Sequence, residues 1–188
     1  MRIIGGRLRG RALSSPDTQA IRPTSDRLRE TLFNILAHTY GDPVPGGRVI
    51  DLFAGTGALG LEALSRGAAH ALFVEIDAAA RALIRDNVDT LGVGGTSRIF
   101  RRDAGKLGVV ATDPFRLAFL DPPYGRDLAS AALVALRDGG WLQPDAICVV
   151  EEHDAADVST PSGFTPLERR TAGDSQLLFL RYAQTVAA

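Results

Sequence analysis

The chain has 188 residues and a mass of 20.0 kDa, with 45% hydrophobic residues, 23% charged residues and a net charge of −1. That length suits one domain with a full core, and the composition excludes a disordered chain, which would pair low hydrophobicity with high net charge. No apolar run approaches the ~18 residues of a membrane span, and no apolar signal core follows Met1; the expectation is a soluble, cytoplasmic protein.

The charge is unevenly spread. Residues 1–30 hold seven arginines (2, 7, 9, 11, 22, 27 and 29) against Asp17, Asp26 and Glu30, so this segment carries +4 and the remainder −5. Of the 21 basic residues only Lys106 is a lysine. Arginine suits planar, bidentate contacts with phosphate, although a GC-rich genome would produce the same preference. A basic segment on a near-neutral chain suggests an arm that meets nucleic acid or another anionic surface.

In chain order, MRIIGGRLRGRALSS (1–15) reads as two short strands around Gly5-Gly6 and Gly10, a small basic hairpin outside the core. Arg7, Arg9 and Arg11 alternate with period two, which places them on one face of a strand. A charged edge strand protecting itself from aggregation would look the same; phosphate contact is the preferred reading. Pro16 to Pro23 forms a linker. From Asp26 to His38 the spacing of Leu28, Leu32, Ile35 and Leu36 predicts a helix, with Thr24 and Ser25 available as N-caps. The breaker cluster GDPVPGG (41–47) opens the main domain.

Beyond it, strand and helix patterns alternate: strand 48–54, helix 58–66, strand 70–75, helix 78–92, and strands 97–103 and 115–121. A helix capped by Asp127 then runs to Asp138, followed by a strand over 146–152 and two more between 164 and 182. The alternation predicts an α/β fold, Rossmann-like, with a doubly wound, mainly parallel seven-stranded sheet. The last two strands lie too close for a helical crossover and should form a C-terminal antiparallel hairpin. The chain divides into a basic β-hairpin extension (1–20), a helical segment covering the mouth of the site (21–40) and a catalytic domain (41–188).

Two motifs carry chemistry. In DLFAGTGALG (51–60), Gly55, Gly57 and Gly60 fit G-x-G-x-x-G between a strand and a helix, where the backbone can approach an adenosine ligand closely. Asp51 at the strand's end offers a carboxylate to a cationic amine. Glu75 ends the next strand, 18 residues after Gly57, where a carboxylate accepts both hydroxyls of a ribose. The second motif is Asp121-Pro122-Pro123-Tyr124. Two prolines stiffen the loop. Asp121 and the Pro122 carbonyl can accept hydrogen bonds from one exocyclic amino group, with Tyr124 stacked on the base that bears it. Such a nitrogen is a poor nucleophile because its lone pair is delocalised into the ring, and two acceptors draw it toward tetrahedral geometry.

With these residues in view, the sequence resembles S-adenosylmethionine-dependent amino-methyltransferases of the class I fold that act on nucleic-acid bases. MRIIGGRLRGRAL, IRPTSDRLRETLFNIL (21–36) and DLFAGTGALGLEALSRGA (51–68) narrow the resemblance to the RsmD-like guanine-N2 methyltransferases of bacterial 16S ribosomal RNA, over Met1 to Arg181. The resemblance implies that Asp51, Phe53, Gly55, Gly57, Glu75 and Asp103 hold the cofactor, Asp103 at the adenine amino group. It also implies that Asp121, Pro122, Pro123 and Tyr124 form the catalytic loop and that the substrate is a guanine in an assembling small subunit. RNA contacts are assigned to Arg2, Arg7, Arg9, Arg11 and Arg22.

Two enzyme classes compete. An NAD-dependent oxidoreductase would share the glycine loop but needs a second substrate domain and leaves Asp121–Tyr124 unexplained. A DNA methyltransferase acting on adenine N6 or cytosine N4 uses the same catalytic loop, usually beside a larger target-recognition region. A cytosine-C5 enzyme would need a cysteine nucleophile in that loop, whereas Cys148 lies mid-strand and reads as a core thiol. A non-enzymatic binding module is the third class. His38, His70 and His153 are scattered without metal-ligand spacing, and no metal is expected.

Overall fold

A computed structural model describes residues 1–15, 26–123 and 127–183. The expectations placed on Arg22, on Tyr124 and on the caps Thr24 and Ser25 therefore lie outside the described residues. Helix α1 (Asp26–Thr39) buries Leu28, Leu32, Phe33 and Leu36; Phe33 takes the place expected of Ile35, which is half-buried. There follow β1 (Arg48–Leu52), α2 (Ala58–Ser65), β2 (His70–Val74), α3 (Ala78–Leu91), β3 (Ser97–Phe100) and β4 (Phe115–Leu120). The chain ends in α4 (Leu128–Asp138), β5 (Leu142–His153), β6 (Phe164–Ala172) and β7 (Ser175–Tyr182).

The strands form one sheet in the order β3-β2-β1-β4-β5-β7-β6. Pairing is parallel from β3 to β5, and β7 runs antiparallel between β5 and β6. The doubly wound sheet with its terminal hairpin is thus present. Both faces are covered, as parallel strands require. Val49, Phe73, Leu117 and Phe119 pack beneath α1, α2 and α3, whereas Ile50, Leu72, Leu120 and Val150 pack against α4. Two local expectations need correction. Asp127 precedes α4 with φ of +50° and makes no side-chain capping bond. Strand β5 begins at Leu142 instead of 146, carrying Asp145 at φ of +60° through a register irregularity opposite β4.

The larger correction concerns the arm. Instead of two strands, residues 1–15 make a single antiparallel bridge, Arg2 to Ala12, around a 3-10 turn at Gly6–Leu8. Arg7 lies in that turn, so Arg7, Arg9 and Arg11 do not line one face of a strand. Arg2, Arg7, Arg9 and Arg11 are nevertheless all exposed. The cause is tertiary: Gly6 has φ of +73°, and a Cβ there would lie 2.0 Å from the Ser65 carbonyl oxygen. The backbone bends because it must press against α2.

Nor does the arm lie outside the core. Ile3 and Leu13 are buried within the α1–α3 cluster. All eight residues of α2 are buried, a helix enclosed on every side. Its one carboxylate, on Glu62, is fully buried and accepts from the Ile4 and Gly5 amides, both at 2.8 Å, and from Arg66 Nε at 2.7 Å. Ser65 Oγ accepts from the Leu8 amide at 3.0 Å and donates to the Gly5 carbonyl at 2.5 Å. Glu62→Ala should cost about 2–4 kcal/mol, because it strips two backbone amides and an arginine of their acceptor. Urea unfolding monitored by circular dichroism measures this; a loss below about 1 kcal/mol would mean that water replaces the carboxylate.

Candidate active site

Register brings the functional loops together. Leu52 pairs with Val74 on one side and Leu120 on the other, Val74 with Phe100, and Leu120 with Val150. Four strands therefore end at one level, and the chain leaves each on the same edge. Backbone bonds continue the pairing past the strand ends: Ala54 N–H to the Val74 carbonyl at 3.2 Å, Glu75 N–H to Phe100 at 3.0 Å and Asp121 N–H to Leu52 at 3.4 Å. The order reverses between β1 and β4, the switch point at which open α/β sheets form a crevice for ligands. Phe53–Gly57 and Asp121–Pro123 flank that crevice, with Glu75 directly after β2 and Asp103 three residues beyond β3, which ends at Phe100 rather than at 103.

The glycine loop is held from below. Asp51 is buried and accepts from the Gly60 amide at 2.9 Å, satisfying a free N–H in the first turn of α2 where Gly57 has no side chain to cap it. Gly60 is required by close packing: a Cβ there would lie 2.4 Å from the Phe73 ring. Phe53, half-buried, has φ of +58°, a strained conformation for an aromatic residue and located at the switch point. Glu75 accepts from Gly55 N–H at 3.0 Å and from Asp77 N–H at 2.8 Å, so it shapes the loop and the entry to α3. A carboxylate has further lone pairs for a vicinal diol. Asp103 is exposed and accepts from Gly105 N–H at 2.9 Å.

On the other flank, Asp121 is half-buried, Pro122 buried and Pro123 exposed. Cys148 is buried, and burial alone pushes its thiol far above the usual range, in keeping with a core residue. The arm's ends lie at the glycine loop, where Asn87 joins the Thr56 carbonyl to Ser14. Its tip lies against Ser65, at the far end of α2. Arg11 donates to the Thr90 carbonyl at 2.9 Å. Three residues that sequence reasoning missed organise this region: Glu62, Asn87 and Arg29. Arg29 is fully buried, paired with Asp26 at 2.6 Å and donating to the Arg2 carbonyl at 2.8 Å. A lone charge in the apolar run ALGLEALS was a readable signal for Glu62.

Comparison with known proteins agrees with this fold. The family model described as Conserved hypothetical protein 95 matches residues 1–181. The chain is 40% identical over 186 residues to ribosomal RNA small subunit methyltransferase D of Escherichia coli K12, covering 98% of this chain and 91% of that protein. The Haemophilus influenzae protein of the same name is 36% identical over 92% of this chain and 89% of its own length. The solved structure of Escherichia coli yhhF superimposes with a TM-score of 0.83 at 36% identity, covering 98% of this chain and 99% of that one. The architecture is the Rossmann-like fold of class I methyltransferases. No described helix is long and apolar enough to cross a membrane.

Asp51 offers a test by pH. Burial pushes its carboxyl up to about 8, countered in part by the Gly60 amide and reinforced by the charge on Glu75. In the unfolded chain the group titrates near ~4. Between these values the folded protein holds a proton that the unfolded chain has released. Its contribution to stability is therefore full below pH ~4 and is lost as pH rises toward 8. In Asp51→Asn, which retains an oxygen for Gly60, the unfolding free energy should vary less between pH 5 and 8, roughly the interval of the shift. Parallel curves for the two proteins would show that the Asp51 charge is solvated.

Proposed function

The chain belongs to the RsmD-like family matched by the Conserved hypothetical protein 95 model, and from that we propose that it transfers a methyl group from S-adenosylmethionine to the N2 amino group of a guanine in 16S ribosomal RNA. One observation carries the reading. The Asp121-Pro122-Pro123 loop is hydrogen-bonded to the end of β1, beside the glycine loop, at the sheet's switch point. An acceptor loop for an amino group and a loop for an adenosine cofactor thus share one crevice. The names of the relatives support the ribosomal RNA substrate.

The residues fit such a cofactor. Asp51 is a buried carboxyl whose ionised form a cation would favour. Glu75 has acceptor capacity for the ribose hydroxyls, Asp103 is open to the adenine amino group, and Phe53, Gly55 and Gly57 form the floor. When bound, the cofactor supplies an electrophilic methyl group on a sulfonium. Asp121 and the Pro122 carbonyl accept hydrogen bonds from the guanine N2 amino group and hold its lone pair out of conjugation. The nitrogen–carbon bond would form as the sulfonium–methyl bond breaks, its electron pair passing to sulfur and leaving S-adenosylhomocysteine; the positive charge growing on N2 is stabilised by the Asp121 carboxylate. The excess proton then leaves to water. Pro123 stiffens the loop, and Tyr124 stacks on the base, which must stand out of its own stack to enter.

RNA is held by Arg2, Arg7, Arg9 and Arg11 on the arm and by Arg22 ahead of α1. Arg29 ties the start of α1 to Arg2. The tip of the arm lies about 12 Å from the glycine loop, the length of an eight-residue helix. Its grip therefore falls on phosphates away from the target nucleotide. The partner is 16S ribosomal RNA in an assembling small subunit, in the cytoplasm.

Asp121→Ala should lower methyl transfer about a thousandfold while the affinity for S-adenosylhomocysteine, by calorimetry, stays within about threefold. Retained turnover would remove Asp121 from the chemistry. With labelled S-adenosylmethionine and separate pools of small-subunit particles, ribosomal RNA and DNA, digestion should yield N2-methylguanosine from the ribosomal pools. Label in DNA, or in N6-methyladenine, would overturn the assignment. Because Arg11 also fastens the arm to Thr90, the grip is best tested with the Arg7→Ser/Arg9→Ser double variant. Its RNA affinity should show a salt slope shallower by about 1.5, and an unchanged slope would leave these arginines merely solvated.

A further inference from the structure

The glycine loop and the arm meet at one side chain. Asn87, on α3, is 1% exposed. Its Nδ2 donates to the Thr56 carbonyl in the loop at 3.0 Å and to the Ser14 carbonyl at 3.1 Å, and its Oδ1 accepts from the Ser14 amide at 2.7 Å. Both donors and the acceptor of the side-chain amide are thereby used. The other end of the arm reaches the same loop residue, with the Thr56 hydroxyl 3.9 Å from Met1 Sδ. The Leu13 amide donates to the Met1 carbonyl at 3.1 Å, closing the arm on itself beside Thr56. Meanwhile Glu62, on the helix that the glycine loop opens, clamps Ile4 and Gly5. The two segments are thus joined at two places, and neither junction uses a residue assigned to the cofactor.

We propose that Asn87 is a positioning residue that couples the glycine loop to the seating of the N-terminal arm, so that cofactor binding and ordering of the RNA-facing arm favour each other. The proposal rests on the cofactor reading above. Its physical basis is the cost of a buried amide left without partners. If Ser14 departs, Asn87 loses two of its three bonds and no longer fixes the Thr56 carbonyl, between Gly55 and Gly57. If the loop is fixed by a ligand, Asn87 is held in the one orientation that also receives Ser14. Coupling of this kind is reciprocal. The cofactor-loaded protein therefore presents Arg2, Arg7 and Arg9 on an ordered arm, and RNA binds it more tightly than the empty protein.

The test uses the full chain with S-adenosylhomocysteine and amide hydrogen exchange. In the wild type, the ligand should slow exchange at Ile3, Gly10, Leu13 and Ser14 by about threefold or more, an effect of the size expected for modest coupling, while the β6–β7 hairpin exchanges as before. Asn87→Ala should bind the ligand about tenfold more weakly, and arm protection should vanish. Asn87→Asp, equal in shape but lacking both donors, should do the same. If neither variant folds, protection of the wild-type arm decides the matter alone. Ligand binding with unchanged arm exchange would overturn the coupling and leave the cofactor reading intact. Absence of ligand binding would overturn that reading and the coupling with it. A variant that loses thermal stability but keeps ligand affinity and arm protection would reduce Asn87 to a structural residue.

Discussion

The parallel pairing of β1 on both of its sides is the constraint on which the molecule depends. A five-residue strand bonded to β2 and β4 in matched register sends the glycine loop and the Asp121 loop out of one edge. A slip of one residue would turn Asp51 away from α2 and reverse every side chain of β1 across the sheet. Such a slip is resisted because Val49 and Ile50 are both fully buried, on opposite faces. The site's geometry is thus set chiefly by apolar burial and strand pairing, with Asp51 and Glu75 as local ties that trim the loop.

Covering both faces of such a sheet leads directly to the arm. Helix α2 is short and mostly apolar, and packing on the sheet hides only part of it; Ile3, Leu13 and α1 hide the rest. Enclosing α2 buries Glu62, and its charge is tolerated because the arm's amides and Arg66 converge on it. Arg66 in turn lies over the Phe33 ring at 4.8 Å, which brings α1 into the same arrangement. A basic segment that looks like an appendage in the sequence is in physical terms the third wall of a helix.

The strands and helices of the main domain were legible in the amino-acid pattern, because burial on both faces writes continuous apolar runs and the breakers fall between them. The positions of Gly55, Glu75 and Asp121 were legible for the same reason, since each directly follows such a run, and Gly57 stands two residues beyond Gly55. The arm was not. Its period-two arginines suggested a strand, but the turn at Gly6–Leu8 arises from contact with Ser65, far along the chain. Asn87 was equally hidden, since its partners Thr56 and Ser14 lie 31 and 73 residues away and nothing local marks it. At Asp127 a familiar capping residue was present, but its left-handed backbone leaves the side chain without the expected bond.

The attachment of the arm also bears on the order in which the protein can assemble. Residues 1–15 are synthesised before the groups that hold them: Arg29 lies 27 residues beyond its partner, and Glu62, Ser65, Asn87 and Thr90 lie 57 to 79 residues beyond theirs. Until α2 has been made, a nascent chain has no Glu62 to which Ile4 and Gly5 can bond; until α3 has been made it has no Asn87 for Ser14, and Ile3 and Leu13 have no complete wall to enter. The arm consequently locks only after the chain has been made as far as Thr90. Throughout that interval it is an arginine-rich segment without its final partners, emerging from a particle itself built largely of RNA.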